Sequence, residues 1–144
     1  MLSNKAKTNI QSAYSQILKA KDLKPRRGQR QMIAAIARTL GAVQQDDDGN
    51  RISDNPICLI EAGTGTGKTL AYLIAAIPVA EDLEKKIIVS TATVALQEQL
   101  VNKDIPDVAK NSGLDFRFAL AKGRGRYLCV HKLDQEMRDQ RMQD

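Results

Sequence analysis

The chain has 144 residues, 42% of them hydrophobic and 27% charged, so it can bury one core of ordinary composition and is expected to form one domain at most. Its formal net charge of +5 suggests a polyanionic partner, and its two cysteines exclude a disulfide-rich scaffold and favour a reducing compartment. No apolar run is long enough for a signal peptide or a membrane span, although the basic, acid-poor N-terminus leaves an organellar transit peptide open.

Two amphipathic helices are predicted in the first part of the chain, because apolar residues recur there at helical spacing. The first helix ends before Pro25, and Gly41 can close the second. The apolar positions are Ile10, Ala13, Tyr14, Ile17 and Leu18 in the first helix, and Ile33, Ile36, Ala37 and Leu40 in the second. Residues 43–55 are polar and turn-rich, which predicts a loop.

A glycine-rich stretch at residues 61–69 follows an apolar run at 56–60 and opens a further helical pattern. This order predicts a strand, a phosphate-binding loop and a helix, in which glycines let backbone N–H groups surround anionic oxygens. Lys68 would reach the β- and γ-phosphates, and Thr69 would place its hydroxyl on Mg²⁺, so these two are the candidate catalytic residues. The candidate nucleotide-binding residues of the loop are Ala62, Gly63, Thr64, Gly65, Thr66, Gly67, Lys68 and Thr69.

Ala62 departs from the usual phosphate-loop pattern, which has glycine at its first position. The alternative interpretation is a glycine-rich turn in which Lys68 is merely solvated. The small size of alanine and the surrounding strand and helix patterns favour the nucleotide site.

The rest of the chain continues the alternation of helices and strands. A helix from about Leu70 to Ala80 leads to a β-branched segment at 86–91, a helix at about 93–109 and a short apolar segment at 116–120. This order predicts an α/β fold with a doubly wound, mostly parallel sheet, in which Cys58 is a small core residue of the first strand.

Three segments, at 25–33, 89–100 and 122–129, resemble the N-terminal part of the DinG helicases, an iron–sulfur group in the XPD-like branch of superfamily 2. The resemblance implies ATP and Mg²⁺ as ligands and a partial RecA-like motor domain. It divides the chain into an N-terminal helix and lead-in (1–27), the first part of the motor domain (28–121) and the truncated start of an iron–sulfur region (122–144). It also implies that Gln29 binds adenine, since a carboxamide donates and accepts at once. From spacing alone, Gln29 would instead be interpreted as an ordinary polar residue in the first turn of the second helix, with no ligand.

The segment at 89–100 looks like motif Ia, which implies that Thr91, Thr93 and Gln97 contact single-stranded DNA. Thr93 is equally suited to be a helix N-cap, and the two roles are compatible. The resemblance further implies forked DNA and RNA–DNA hybrids as substrates, and a role in DNA repair. We expect a cytoplasmic monomer that does not bind membranes.

Cys129 follows the interleaved Lys122, Arg124 and Arg126, and the resemblance makes it one ligand of a [4Fe–4S] cluster, which needs four thiolates. On residues alone, a lone thiol is more often a core residue. His131 is expected to be solvated.

The sequence contains no carboxylate pair at the end of a second apolar strand, which hydrolysis would need to hold Mg²⁺ and orient water. We therefore expect an N-terminal fragment of an ATP-dependent DNA helicase that lacks turnover alone. A non-enzymatic nucleotide or nucleic-acid binding module and a truncated, inactive helicase gene product remain as alternatives. An unrelated phosphate-loop kinase or ATPase is disfavoured, because it would not need Gln29, the segment at 89–100 and the segment at 122–129 in this order.

Overall fold

The computed structural model describes residues 2–141, with side chains as far as Asp139. Residues 142–144, the end of the predicted third region, lie outside this range. The described helices are α1 (Asn4–Ala20), α2 (Arg27–Leu40), α3 (Lys68–Asp82), α4 (Val94–Gln99), α5 (Ile105–Asn111) and α6 (Val130–Arg141). A π-helical turn at Leu100–Asp104 joins α4 to α5, and a 3-10 turn at Arg124–Arg126 precedes α6. The first three predicted helices are confirmed, and the fourth, predicted as one helix at about 93–109, is divided into α4, the π-helical turn and α5.

The predicted doubly wound sheet is wrong, because residues 2–141 contain no strand beyond one isolated antiparallel bridge between Gln45 and Arg51. The segments 56–60, 86–91 and 116–120 do not pair with one another. Several of their side chains face solvent, with Ile57 84%, Leu59 96% and Ile88 93% exposed. A parallel strand is stabilised by hydrogen bonds to neighbours distant in sequence, so apolar, β-branched composition alone does not make a sheet. Cys58 is likewise exposed rather than in a core.

Local hydrogen bonds define where the helices begin. The Ser3 hydroxyl accepts the N–H of Ala6 at 3.0 Å and caps α1, and the Thr93 hydroxyl accepts the N–H of Leu96 at 3.2 Å and caps α4. Such side chains satisfy N–H groups that have no partner within the helix. The phosphate loop provides the start of α3, where Gly67 is the N-cap residue in a left-handed conformation.

The core is built around α3, which packs against α1, α2 and α5. Its sequence is apolar on nearly every side, as expected of a helix surrounded by others. An ion pair between Lys21 and Asp107 links the end of α1 to α5. None of the helices in the described residues is both long and apolar enough to cross a membrane.

Ile74 lies at the centre of this core and is fully buried. Replacing it with alanine should lower the free energy of unfolding by about 2–5 kcal/mol, because buried methyl groups are lost and a cavity remains. Chemical denaturation measures the change. Ile52→Ala is the matched control, since that side chain is 63% exposed and its loss should alter stability by less than about 0.5 kcal/mol. Equal effects of the two substitutions would contradict a core centred on α3.

Candidate functional site

The predicted phosphate loop runs directly into α3, which begins at Lys68. Gly65 and Gly67 have positive φ angles of 75° and 79°, a conformation that residues with a side chain rarely adopt. These two glycines turn the backbone sharply around the N-terminus of α3. The loop therefore has the left-handed glycines that the spacing predicts, although an unpaired segment precedes it instead of a sheet strand.

The backbone N–H groups of residues 63–67 make no hydrogen bond with any part of residues 2–141. They lie beside the first turn of α3, where the helix dipole contributes a partial positive charge. Free N–H groups in a tight turn at a helix N-terminus form a cradle for an anion such as a phosphate group.

The Lys68 side chain folds back over this loop. Its ammonium donates to the carbonyl oxygens of Ala62 at 2.7 Å and Gly63 at 2.9 Å, and Thr66 donates its hydroxyl to Gly63 at 2.8 Å. An ammonium has three N–H donors, so one remains available while the loop carbonyls hold the other two. The charge of Lys68 is thus held beside the N–H cradle by the loop itself.

Thr69 follows Lys68 in the first turn of α3 and is partly buried. Burial raises the pKa of the neighbouring Tyr72 phenol, a side-chain hydrogen bond with Thr69 opposes this shift, and the charge of Asp104 adds to it. Tyr72 is therefore uncharged at neutral pH. The hydroxyl that was predicted to bind Mg²⁺ therefore lies next to a neutral phenol.

Gln29 reaches the phosphate loop from α2, although it lies 38 residues earlier in the chain. The side chain is buried, and its amide nitrogen donates to the Gly67 carbonyl at 3.2 Å. A Cβ atom on Gly67 would collide with this amide nitrogen, so with any other residue at this position the Gln29 side chain or the loop would have to move. The structure thus brings the candidate adenine-binding residue to the candidate phosphate-binding residues.

Two further residues at this site were missed by the sequence reasoning. The Arg26 guanidinium donates to the Gly65 carbonyl at 2.7 Å, and the Tyr14 hydroxyl donates to the Gln29 amide oxygen at 3.0 Å. Arg26 lies in the segment 25–33, in which only Gln29 was assigned a role, and Tyr14 was assigned to the apolar face of α1. Neither pattern carries a signal for contact with a residue distant in the chain.

The three residues predicted to contact DNA lie together at the start of α4. Thr91 donates its hydroxyl to the Thr93 carbonyl at 3.2 Å, and Thr93 caps α4 as the N-cap interpretation predicts. Gln97 donates to the Ala121 carbonyl at 3.3 Å and accepts from the Arg126 guanidinium at the same distance. No sequence pattern pairs Arg126 with Gln97, yet this contact joins the basic segment to the predicted DNA-contacting residues.

The residues present do not fit an iron–sulfur cluster. Cys129 and Cys58 are both exposed and free, and the chain has no other cysteine, whereas such a cluster is held by four thiolates. No group of three or more metal-binding side chains occurs among the described residues. His131 is exposed, as predicted.

The family of the chain follows from a comparison of its sequence with known families. The family model for DEAD/DEAH box helicases matches residues 26–135, which include Gln29, the phosphate loop and the segment around α4. The chain belongs to this helicase family. The match begins at Arg26, so the residues that converge on the loop from α2 fall within the family region and Tyr14 falls outside it.

Among curated relatives in this helicase family, the chain is similar to proteins named ATP-dependent DNA helicase DinG. It is 44% identical to that of Photobacterium profundum over 135 residues, which make up 93% of this chain and 18% of the relative. It is 47% identical to that of Salmonella typhimurium and 46% identical to that of Escherichia coli, each over 78% of this chain and 14% of the relative. The chain thus spans less than a fifth of the length of these relatives.

Proposed function

We propose that this chain provides the ATP-binding part of an ATP-dependent DNA helicase of the DinG type. The observation that carries the proposal is the cradle of free N–H groups at residues 63–67, bordered by the Lys68 ammonium and contacted by Gln29. The names of the relatives support ATP as the nucleotide and DNA as the polymer on which it acts.

In this proposal the nucleotide spans the loop and the start of α2. The N–H groups of residues 63–67 and the ammonium of Lys68 bind the phosphates, and Thr69 supplies a hydroxyl to Mg²⁺. The Gln29 carboxamide binds the adenine edge, which presents an adjacent donor and acceptor. The contact between Gln29 and Gly67 then links the base-binding residue directly to the phosphate-binding loop.

Single-stranded DNA is proposed to contact the start of α4. The Thr93 hydroxyl accepts from Leu96 in capping the helix, so its own proton remains free to donate to a DNA phosphate. Thr91 already donates to a carbonyl, which makes Thr93 the better phosphate donor of the two. Arg126 adds a positive charge beside Gln97, and such charges dominate affinity for the DNA backbone.

The finer predictions rest on the resemblance to DinG. Forked DNA and RNA–DNA hybrids as substrates, a monomeric state and a cytoplasmic location remain proposals. The described residues alone would not hold an iron–sulfur cluster, since Cys129, directly before α6, offers a single thiolate.

The test is steady-state ATP hydrolysis by the purified full-length protein with and without single-stranded DNA. We expect DNA to stimulate hydrolysis, because a helicase couples ATP turnover to movement along its strand, and a duplex of the same sequence to stimulate it less. ATP binding without turnover would favour the non-enzymatic binding module. A rate of ATP hydrolysis that is the same with and without DNA would favour an unrelated phosphate-loop ATPase.

A further inference from the structure

A chain of side-chain hydrogen bonds connects α1 to the phosphate loop through Gln29. The Tyr14 hydroxyl donates to the Gln29 amide oxygen at 3.0 Å, and the Gln29 amide nitrogen donates to the Gly67 carbonyl at 3.2 Å. Gln29 is only 6% exposed and both bonds are partly buried, so water competes with them less than at the surface. The backbone N–H of Arg26 donates to the same Tyr14 hydroxyl at 3.3 Å, which gives the phenol a second partner.

These partners favour one orientation of the Gln29 carboxamide over the flipped one. The Gly67 carbonyl can accept but never donate, so the amide nitrogen and not the oxygen must face it. The Arg26 N–H is a donor and cannot take the Tyr14 proton, whereas the amide oxygen of Gln29 is an acceptor within hydrogen-bond distance of it. A flipped amide would place its oxygen against the Gly67 carbonyl and leave the Tyr14 proton without its acceptor.

The fixed amide retains a defined pair of unused sites. A carboxamide has two acceptor positions on oxygen and two N–H donors on nitrogen, and the protein uses one of each. One acceptor and one donor remain, which match the amino group and ring nitrogen N7 on the edge of adenine. Guanine presents two acceptors on that edge, N7 and O6, so its O6 would oppose the amide oxygen.

We propose that Tyr14 is a positioning residue that orients the Gln29 carboxamide and thereby sets the preference of the site for adenine over guanine nucleotides. The inference rests on the proposed function, in which Gln29 binds the base. Tyr14 does not contact the nucleotide in this scheme. It acts by raising the free energy of the flipped amide, and its loss leaves the Gly67 carbonyl as the only group that opposes the flip.

The test compares equilibrium binding of ATP and GTP, measured by displacement of a fluorescent nucleotide from the purified protein. Tyr14→Phe removes one hydroxyl and keeps the ring. The ratio of GTP to ATP dissociation constants should fall about three- to tenfold, the range expected for loss of one buried hydrogen bond. Tyr127→Phe is the matched control, because the Tyr127 hydroxyl accepts from the backbone N–H of Lys122, far along the chain from Gln29. In this variant the ratio of GTP to ATP dissociation constants should stay unchanged.

The outcomes separate the inference from the proposed function. A wild-type protein that does not bind ATP, or binds ATP and GTP equally, would overturn the role of Gln29 and this inference with it. A wild-type preference for ATP that Tyr14→Phe retains, or equal weakening of both nucleotides in that variant, would overturn the inference alone. In a Gln29→Ala background the Tyr14→Phe change should no longer alter the ratio, and a further change there would show that Tyr14 acts independently of Gln29.

Discussion

Lys68→Ala is expected to lower DNA-stimulated ATP hydrolysis at least about 100-fold, because the substitution removes the positive charge beside the phosphate cradle. In the structure this ammonium lies against the carbonyls of Ala62 and Gly63, at the border of the loop whose N–H groups are free. The charge on the transferred phosphoryl group would then lack its principal cationic side-chain partner. Steady-state hydrolysis with single-stranded DNA present measures the effect.

Lys110→Ala is the matched control for charge removal. Lys110 is exposed near the end of α5 and has no role in the proposed site, so hydrolysis should stay within about twofold of wild type. Thermal unfolding of both variants checks that the fold is retained. Wild-type turnover in Lys68→Ala would contradict the assignment of residues 61–69 as the ATP site.

Gly67→Ala should disable the loop through two separate physical effects. The φ angle of 79° strains any residue with a Cβ atom by about 1–2 kcal/mol, and the new methyl group would collide with the Gln29 amide nitrogen. Either Gln29 moves away or the loop changes shape, and both break the hydrogen bond to the Gly67 carbonyl. We expect a loss of more than about 2 kcal/mol in the free energy of unfolding and at least about tenfold weaker ATP binding.

Gly49→Ala isolates the first of these effects. Gly49 has a similar φ angle of 81°, but a Cβ atom there meets no other atom within 4 Å. Its substitution should lower stability by only about 1 kcal/mol and leave ATP binding intact. If the two alanine variants behaved alike in denaturation and in nucleotide titration, the contact between Gln29 and the loop would be irrelevant to the site.

The helices were predictable from sequence because their signal is local. Apolar residues at helical spacing, such as Ile10, Ala13 and Ile17, face the same side of α1 and are buried there. The sheet was not predictable, because strand pairing depends on distant segments that composition does not identify. Ile57 and Ile88 have the side chains of buried strands, yet they are exposed in unpaired segments outside any helix or strand.

At the site, too, the features set by neighbouring residues were predictable, and the contacts between residues distant in the chain were not. Glycine spacing around Lys68 located the phosphate loop, and the left-handed angles of Gly65 and Gly67 are the reason for that spacing. The contact of Tyr14 with Gln29 depends on how α1 packs beside α2, and a tyrosine on an apolar helix face does not reveal it. Arg126 similarly meets Gln97 only because the chain returns to α4 after residue 120.

The central claim is that residues 61–69, together with Gln29, bind ATP, and equilibrium titration of the purified protein with Mg-ATP tests it most directly. Isothermal titration calorimetry should show one site per chain, with a dissociation constant between about 1 µM and 1 mM, the usual range for enzyme substrates. Binding should weaken sharply in Lys68→Ala. The absence of binding at millimolar Mg-ATP in a folded wild-type protein, or unchanged affinity in Lys68→Ala, would contradict the account.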